Sequence, residues 1–478
     1  MSAQQDRIEE QEPQVSKRKK IGLPDAYVIL FGILVLAAIA TYFIPAGSFD
    51  RETTDGITTV IPDSYHGTGQ QPASFIAVFR AIQQGMIDSA GLIFLVLIIG
   101  GSFAVIEYTG AIDALIMKTI NKTKNKEYWL IIIVCTLFSI FGALGIIVNA
   151  VIAFIPIGII MARSMRLDAV VGVSIIYLGA YAGFNTAFLD PLTTGMAQQI
   201  AQVPLFSGIG FRILIYLTVL SSTILYIWWY ANKVKKDPRK SVLGNNRFPK
   251  HQEKNVDKTP KELTGVHKLV ITWLAVGIGI YIFGVFQFGW SLNEMAAMFI
   301  VISLGTAVIA KITPNRLVEE FFNGCKGLVY GALIIGMARS IVVILQDGQI
   351  LDTVVQGMAT IMEPFSSVWG AIVMLLANGV FNLLVSSGSG QAAIVMPIMT
   401  PLADLMDITR QVAVQAYKMG DGFTNVITPI SGILMANLAI AGIPWTKWIK
   451  YIMPLVLIWF AIGAFYLAIA VWIGWGSI

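Results

Sequence analysis

Charge is scarce in this chain: only 13% of its 478 residues are Asp, Glu, Lys or Arg, and it holds just two cysteines and three histidines. Cys135 and Cys325 sit in or beside apolar segments with no CxxC spacing, which suggests neither a disulfide nor a metal site. His66, His251 and His267 fall outside the apolar runs, and neither HExxH nor GxSxG occurs. A membrane-embedded enzyme would therefore lack its machinery, and no catalytic residue or organic cofactor is expected. The first 20 residues contain no short apolar core or small-residue cleavage site of the secretory kind. They end in Lys17-Arg18-Lys19-Lys20 and read as a disordered cytoplasmic tail.

What is abundant is apolar: 56% of the residues are hydrophobic, in recurring runs of about 20, each long enough to cross a bilayer core of about 30 Å. This predicts an all-α polytopic protein of the inner (plasma) membrane. The net charge of +5 sits in a few loops between runs, where the positive-inside rule puts it, so nucleic acid is not an expected partner. The bilayer is.

The chain repeats itself at about half its length. Gly110-Ala111-Ile112-Asp113 is answered by Gly348-Gln349-Ile350-Leu351-Asp352, Pro156 by Pro397, the Gly183 to Thr186 stretch by Gly422 to Asn425, and Pro191 by Pro429. Basic loops then set the topology. Lys118, Lys122, Lys124 and Lys126 precede an apolar stretch, about 128–163, that ends at Arg163 and Arg166. It enters and leaves by one face, so it predicts a re-entrant hairpin with its tip around Phe141 to Asn149. A span from about 169 to 201, interrupted by Gly179, Gly183 and Pro191, predicts helix, break, helix. The linker 233–268 carries ten Lys and Arg between Lys233 and Lys261 and reads as cytoplasmic. It divides a first repeat, 23–232, from a second half, 269–478, that contains one extra helix. Around Gln346 to Glu363 there is no Lys or Arg, so the second hairpin, about 366–405, enters from the opposite face, and a second broken span covers about 411–441. The N-terminus then lies in the cytoplasm and the C-terminus outside. Segments 112–120 and 350–361 have the spacing of helices lying along the membrane surface. An inverted repeat of this kind is the pattern of a secondary transporter.

The sharpest local signal is Ser386-Ser387-Gly388-Ser389-Gly390-Gln391, a polar, glycine-rich sextet between two apolar arms. At a hairpin tip, free N–H groups and the following helix N-terminus attract a carboxylate, while hydroxyls and carbonyls suit Na⁺. The opposite tip, Gly142 to Gly145 with Asn149, is poorer in hydroxyls. Gly420-Asp421-Gly422-Phe423-Thr424-Asn425 with Thr428 and Pro429, and Gly183, Asn185, Thr186, Asp190 and Pro191, read as the two breaks. Carboxylates at membrane depth are costly, so Asp190 and Asp421 are candidates for a proton, a cation or a cationic substrate group. Asp190, directly before Pro191, is also where a helix cap would stand. Arg339 and Lys418 fall in apolar context too; either would bind a substrate carboxylate or neutralise one of the aspartates. The candidate substrate residues are Ser386, Ser387, Gly388, Ser389, Gln391, Asn149, Asn185, Thr186, Thr424, Asn425 and Thr428. A coupling ion, Na⁺ or H⁺, is assigned near Ser387, Asp421 and Asn425.

The chain resembles a known family in Ile44-Pro45-Ala46-Gly47-Ser48-Phe49, Ala338-Arg339-Ser340 leading to Asp347-Gly348 and Asp352-Thr353, Ser387-Gly388-Ser389-Gly390-Gln391-Ala392, and Thr428-Pro429-Ile430-Ser431-Gly432. These are similar to the YfcC branch of the C4-dicarboxylate anaerobic carrier-like family, in the ion transporter superfamily, over almost the whole chain. The resemblance implies a dimerising scaffold and a transport domain of two hairpins and two broken helices moving as an elevator. It also implies carriage of an amino acid such as arginine or ornithine, or of a dicarboxylate, with the tip motif falling on Ser387 and Ser389 and the break motif on Asn425 and Thr428. Asn149-Ala150 and Asp190 depart from the arginine/ornithine pattern of paired glutamates and an Asn before Pro. A carboxylate is lost at one place and gained at another, so the balance of charge differs from that of the arginine/ornithine type. An ion channel and, further off, a membrane-embedded enzyme are the alternatives.

Overall fold

The computed structural model describes residues 26–476 except 55–56, 124–126, 149, 245–246, 249–261 and 384–385. The N-terminal tail, Asn149 and the distal basic residues of the linker therefore lie outside the described residues. Six helices among those described are long and apolar enough to cross a membrane: Ala90–Tyr108, Ile209–Lys236, Gly265–Val285, Leu292–Ile309, Pro314–Asp347 and Trp445–Trp472. The shorter apolar helices assemble the hairpins and broken spans. The first hairpin pairs Glu127–Ala143 with Ile155–Ser164, and the second pairs Ser367–Asn382 with Gly388–Leu405. The first broken span runs Ala169–Phe184, then Pro191–Gly195 and Met196–Ile200; the second runs Arg410–Asn425, then Gly432–Ala441. Helices Ala111–Thr123 and Leu351–Met362 precede the respective hairpins, so the order of elements in the first half recurs in the second.

Three details differ from expectation. The loop after the first helix, Ala26–Ala40, holds two small antiparallel pairs, Gly47–Ser48 with His66–Gly67 and Arg51–Thr54 with Ile57–Val60. An amphipathic helix, Phe75–Asp88, then leads to Ala90–Tyr108; Ser74 caps it by accepting from the N–H of Ala77. The breaks also fall later than the glycines suggest. Gly179 and Gly183 are inside the first arm, and Gly420 to Asn425 form the last turns of Arg410–Asn425. Those glycines are there for close approach. A Cβ on Gly422 would lie 2.6 Å from the Cα of Asn185, and one on Gly420 would lie 2.7 Å from the carbonyl oxygen of Leu375.

Close backbone packing sorts the helices into two sets. Lipid tails are as apolar as leucine, so helices associate in a bilayer through tight contact at small residues. In one set, Gly85 packs on the backbone of Gly336 and Ser340, Gly324 on Gly100, and Gly336 on Met86, joining Phe75–Asp88 and Ala90–Tyr108 to Pro314–Asp347. In the other, Gly142 meets Ala180, Gly158 meets Gly172, and Gly183 meets Ser139, fastening the first hairpin to the first broken span. Gly420 against Asn378 and Gly422 against Asn185 add the second hairpin and second broken span. Where Pro314–Asp347 meets Gly388–Leu405 the contact is different: Gly390 faces the Cγ2 of Ile334, a side-chain tip.

Candidate functional site

Three charged side chains that the sequence scatters over 231 positions meet in the second set of helices. Lys418 Nζ lies 3.7 Å from Asp421 Oδ2 and 3.9 Å from Asp190 Oδ2, and all three side chains are almost fully buried. The ammonium also stands 3.3 Å from the ring centroid of Phe184, a cation–π contact. Lys418 and Asp421 share a helix face at i,i+3, whereas Asp190 comes from the break of the other span. Asp190 fills its capping role as well: Oδ1 accepts from the N–H of Leu192 at 2.9 Å, and Oδ2 accepts from the Thr193 hydroxyl. Its position depends on Gly145 in the first hairpin tip, whose φ is +73° and whose missing Cβ would sit 2.7 Å from Asp190 Oδ1.

The second tip closes over this triad. Ser387 caps Gly388–Leu405 by accepting from the N–H of Gly390 at 3.3 Å. Gly388 approaches so closely that a Cβ there would be 3.2 Å from Asp421 Oδ2, and its carbonyl accepts from the Tyr417 hydroxyl at 2.6 Å. Asn425 links tip and triad, donating to Asp421 Oδ1 at 3.0 Å while accepting from Ser386 at 2.9 Å. Among the described residues, Lys418 Nζ and Asp421 Oδ2 find no hydrogen-bond partner at these separations, nor does either side-chain polar atom of Asn185. The triad is held together by charge attraction over 3.7 and 3.9 Å. It carries two carboxylates against one ammonium.

A cavity of about 890 Å³ opens onto this site. Asp190, Thr193, Ser386 to Ser389, Asn425 and Ser431 line one wall, and Gly327, Tyr330, Gly331 and Ile334 of Pro314–Asp347 line the other. Among the sequence candidates, Ser386, Ser387, Gly388, Ser389 and Asn425 face this space with Asp190; Lys418 and Asp421 lie just beneath. Gln391 turns away, donating to the backbone and side chain of Asn378 at 3.0 and 3.1 Å. Among the described residues, Thr186 makes only long bonds to its own helix, Thr424 bonds Gly420, and Thr428 is buried beside the break with no partner for its hydroxyl. Arg339 is elsewhere. Its Nε lies 3.6 Å from Asp88 Oδ2, so it neutralises neither Asp190 nor Asp421.

Sequence reasoning passed over Asn378 and Asn382. They sit one turn apart in an apolar arm, where Asn382 donates to Thr424 Oγ1 at 2.8 Å and to the Asp421 carbonyl at 3.0 Å. Two amides at i,i+4 within a membrane-depth helix were the available signal.

The family model of the C4-dicarboxylate anaerobic carriers matches residues 23–472. The chain is 31% identical to the Escherichia coli K12 protein YfcC, whose name proposes it as a basic amino acid antiporter, over 90% of this chain and 93% of that one. It is 29% identical to an uncharacterized protein of Haemophilus influenzae, over 95% and 98%. Among solved structures it resembles the Alcanivorax borkumensis YdaH transporter, described as having an unusual topology, with a TM-score of 0.70 at 15% identity over 95% and 99%. It also resembles Neisseria gonorrhoeae MtrF, presented as one of a class of antimetabolite efflux pumps, with a TM-score of 0.62 at 15% identity over 94% and 95%. At such identities the likeness is one of fold.

Proposed function

Because this chain belongs to the C4-dicarboxylate anaerobic carrier family of membrane transporters, we propose that it is a secondary active carrier of a small carboxylate-bearing amino acid. The observation that supports this reading is the buried Lys418–Asp190–Asp421 triad beneath the Ser386 to Ser389 tip. The serine-rich tip and the N-terminus of Gly388–Leu405 receive the carboxylate. The excess negative charge of the triad suits the amino group. A C4-dicarboxylate is the second reading, favoured by the family's description, but it would bring two more negative charges to a site that already has one in excess. Coupling to H⁺ or Na⁺ belongs at Asp421, next to Asn425 and Ser387. Movement is by alternating access of the elevator kind: the hairpins and broken spans travel as one body along Pro314–Asp347, and the remaining helices form a fixed, homodimerising scaffold. The N-terminus is cytoplasmic and the C-terminus external.

Proteoliposomes test the assignment directly. Uptake of labelled L-arginine, L-ornithine and succinate is measured with and without Na⁺ and pH gradients, for the parent protein, Ser387→Ala and Asp421→Asn. At least one probe should accumulate or exchange, and both variants should slow it ten-fold or more. Full activity in both variants would sink the site, and steady single-channel currents in planar bilayers would favour a channel instead.

A further inference from the structure

A second cavity, of about 470 Å³, lies along the same two helices as the first. Pro314–Asp347 lines the first cavity with Gly327 and Gly331 and the second with Ile335 and Arg339. These positions follow one another at i+4, so a single helix face runs through both spaces. Gly388–Leu405 likewise lines the first with its tip and the second with its later turns. Between the cavities the two helices touch at Ile334 and Gly390. Arg339 stands eight residues beyond Gly331, about 12 Å further along the axis.

Among the described residues, three guanidiniums line this second space, and two are committed. Arg51 makes bonds of 2.7 and 2.9 Å to the carboxylate of Asp352. Arg410 makes bonds of 2.9 and 2.7 Å to Asp404 and also donates to the carbonyls of Ala201 and Thr58. Arg339 is held differently. Its contact with Asp88 is 3.6 Å, too long for a hydrogen bond, and both side chains remain about 30% exposed. Asp88 is itself anchored, its Oδ1 accepting from Gln84 at 2.7 Å, which leaves Oδ2 toward Arg339. A guanidinium presents a rigid fork of donors that matches a carboxylate in a bidentate pair.

We propose that Arg339 and Asp88 form a second binding position, for a zwitterionic α-amino acid, with the carboxylate on Arg339 and the ammonium on Asp88. The two charges are opposite, adjacent, part-exposed and incompletely satisfied by one another, which is the complement of a zwitterion. The position lies on the face along which the tip would travel, so it serves as the way-station met from the other side of the Ile334–Gly390 contact. It rests on the proposed function in taking the substrate to be an amino acid and the tip to travel along Pro314–Asp347.

The test reads binding without transport. Full-length protein in nanodiscs carries Cys325→Ala, to remove the half-buried native thiol, and Gln346→Cys, an exposed position on the wall of the cavity. Labelling of the new thiol by an anionic methanethiosulfonate is timed with 10 mM L-alanine, L-arginine or succinate. The two amino acids should slow labelling at least five-fold, Arg339→Gln should abolish that protection, and Arg339→Lys should restore part of it. Asp88→Asn should lose protection by L-alanine while strengthening that by succinate, because Arg339 is then free. Absence of protection by either amino acid in the parent, or protection that survives Arg339→Gln, overturns the proposal. Protection without uptake in proteoliposomes would count against the proposed function alone.

Discussion

Replacing Lys418 by Met removes the positive charge from between two buried carboxylates and keeps most of the side-chain volume. At 3.7 and 3.9 Å, each attraction amounts to ~4 kcal/mol at an effective dielectric of ~20. Desolvation of the three ions offsets much of that sum. The measurable quantity is therefore the cost of leaving charges unpaired, for which breaking a buried pair typically gives about 3–5 kcal/mol. Loss of the ammonium from the face of Phe184 adds up to about 2 kcal/mol when the cation is desolvated. Lys418→Met should thus be among the most destabilising single substitutions in the chain. The informative comparison is with Lys418→Met combined with Asp421→Asn, which returns the site to one net negative charge and keeps the polar contact with Asn425. Unfolding of the detergent-purified proteins in a Cys325→Ala background, followed by thiol-reactive fluorescence at the buried Cys135, should rank the double variant above the single one. Equal stability of parent and Lys418→Met would refute the reasoning. So would a double variant less stable than the single, because the penalty would then be one of shape rather than charge.

Three further outcomes are expected. Gly145→Ala must place a side chain at φ +73° and 2.7 Å from Asp190 Oδ1; protein yield should be retained while uptake falls at least ten-fold, and normal uptake would detach the first tip from the site. Ser387→Ala removes the cap of Gly388–Leu405, a change worth about 1 kcal/mol, and hydrogen exchange should show faster opening confined to the first turn of that helix. Thr58→Cys with Gln202→Cys, joined by a short bifunctional maleimide, ties the strand Ile57–Val60 to the end of the first broken span, where Thr58 N–H already donates to Gln202 at 2.9 Å. If that span moves, the tether should stop uptake, and uptake at the parental rate after complete cross-linking would rule the movement out.

How much of this was legible follows from which physics each residue obeys. Apolar length and basic flanks expose the spans and both hairpins, because the bilayer imposes them on sequence. Asp190, Lys418 and Asp421 stand out for the same reason, as charges where charge is costly. That a cation would neutralise one of the aspartates is also readable; that it is Lys418, placed between both, and not Arg339 depends on packing between spans more than 200 residues apart. The glycines misled: Gly420 and Gly422 read as a break but serve the approach of Asn378 and Asn185. The strands Arg51–Thr54 and Ile57–Val60 were hidden in a polar loop, since long-range bonds from Arg51 to Asp352 and from Arg410 to Thr58, which no local pattern announces, help to hold them.

The contrast between glycine-to-backbone packing inside each set of helices and side-chain packing at Ile334 and Gly390 bears on handling of the protein outside its native membrane. Detergent and lipid chains cannot enter where one backbone lies directly on another, but they can wedge between branched side chains. Solubilisation should therefore leave each set intact and act first on their mutual position. Two preparations with the same helix content and the same unfolding temperature can then differ in which cavity is open, and acyl-chain length becomes a variable to be controlled in every binding measurement.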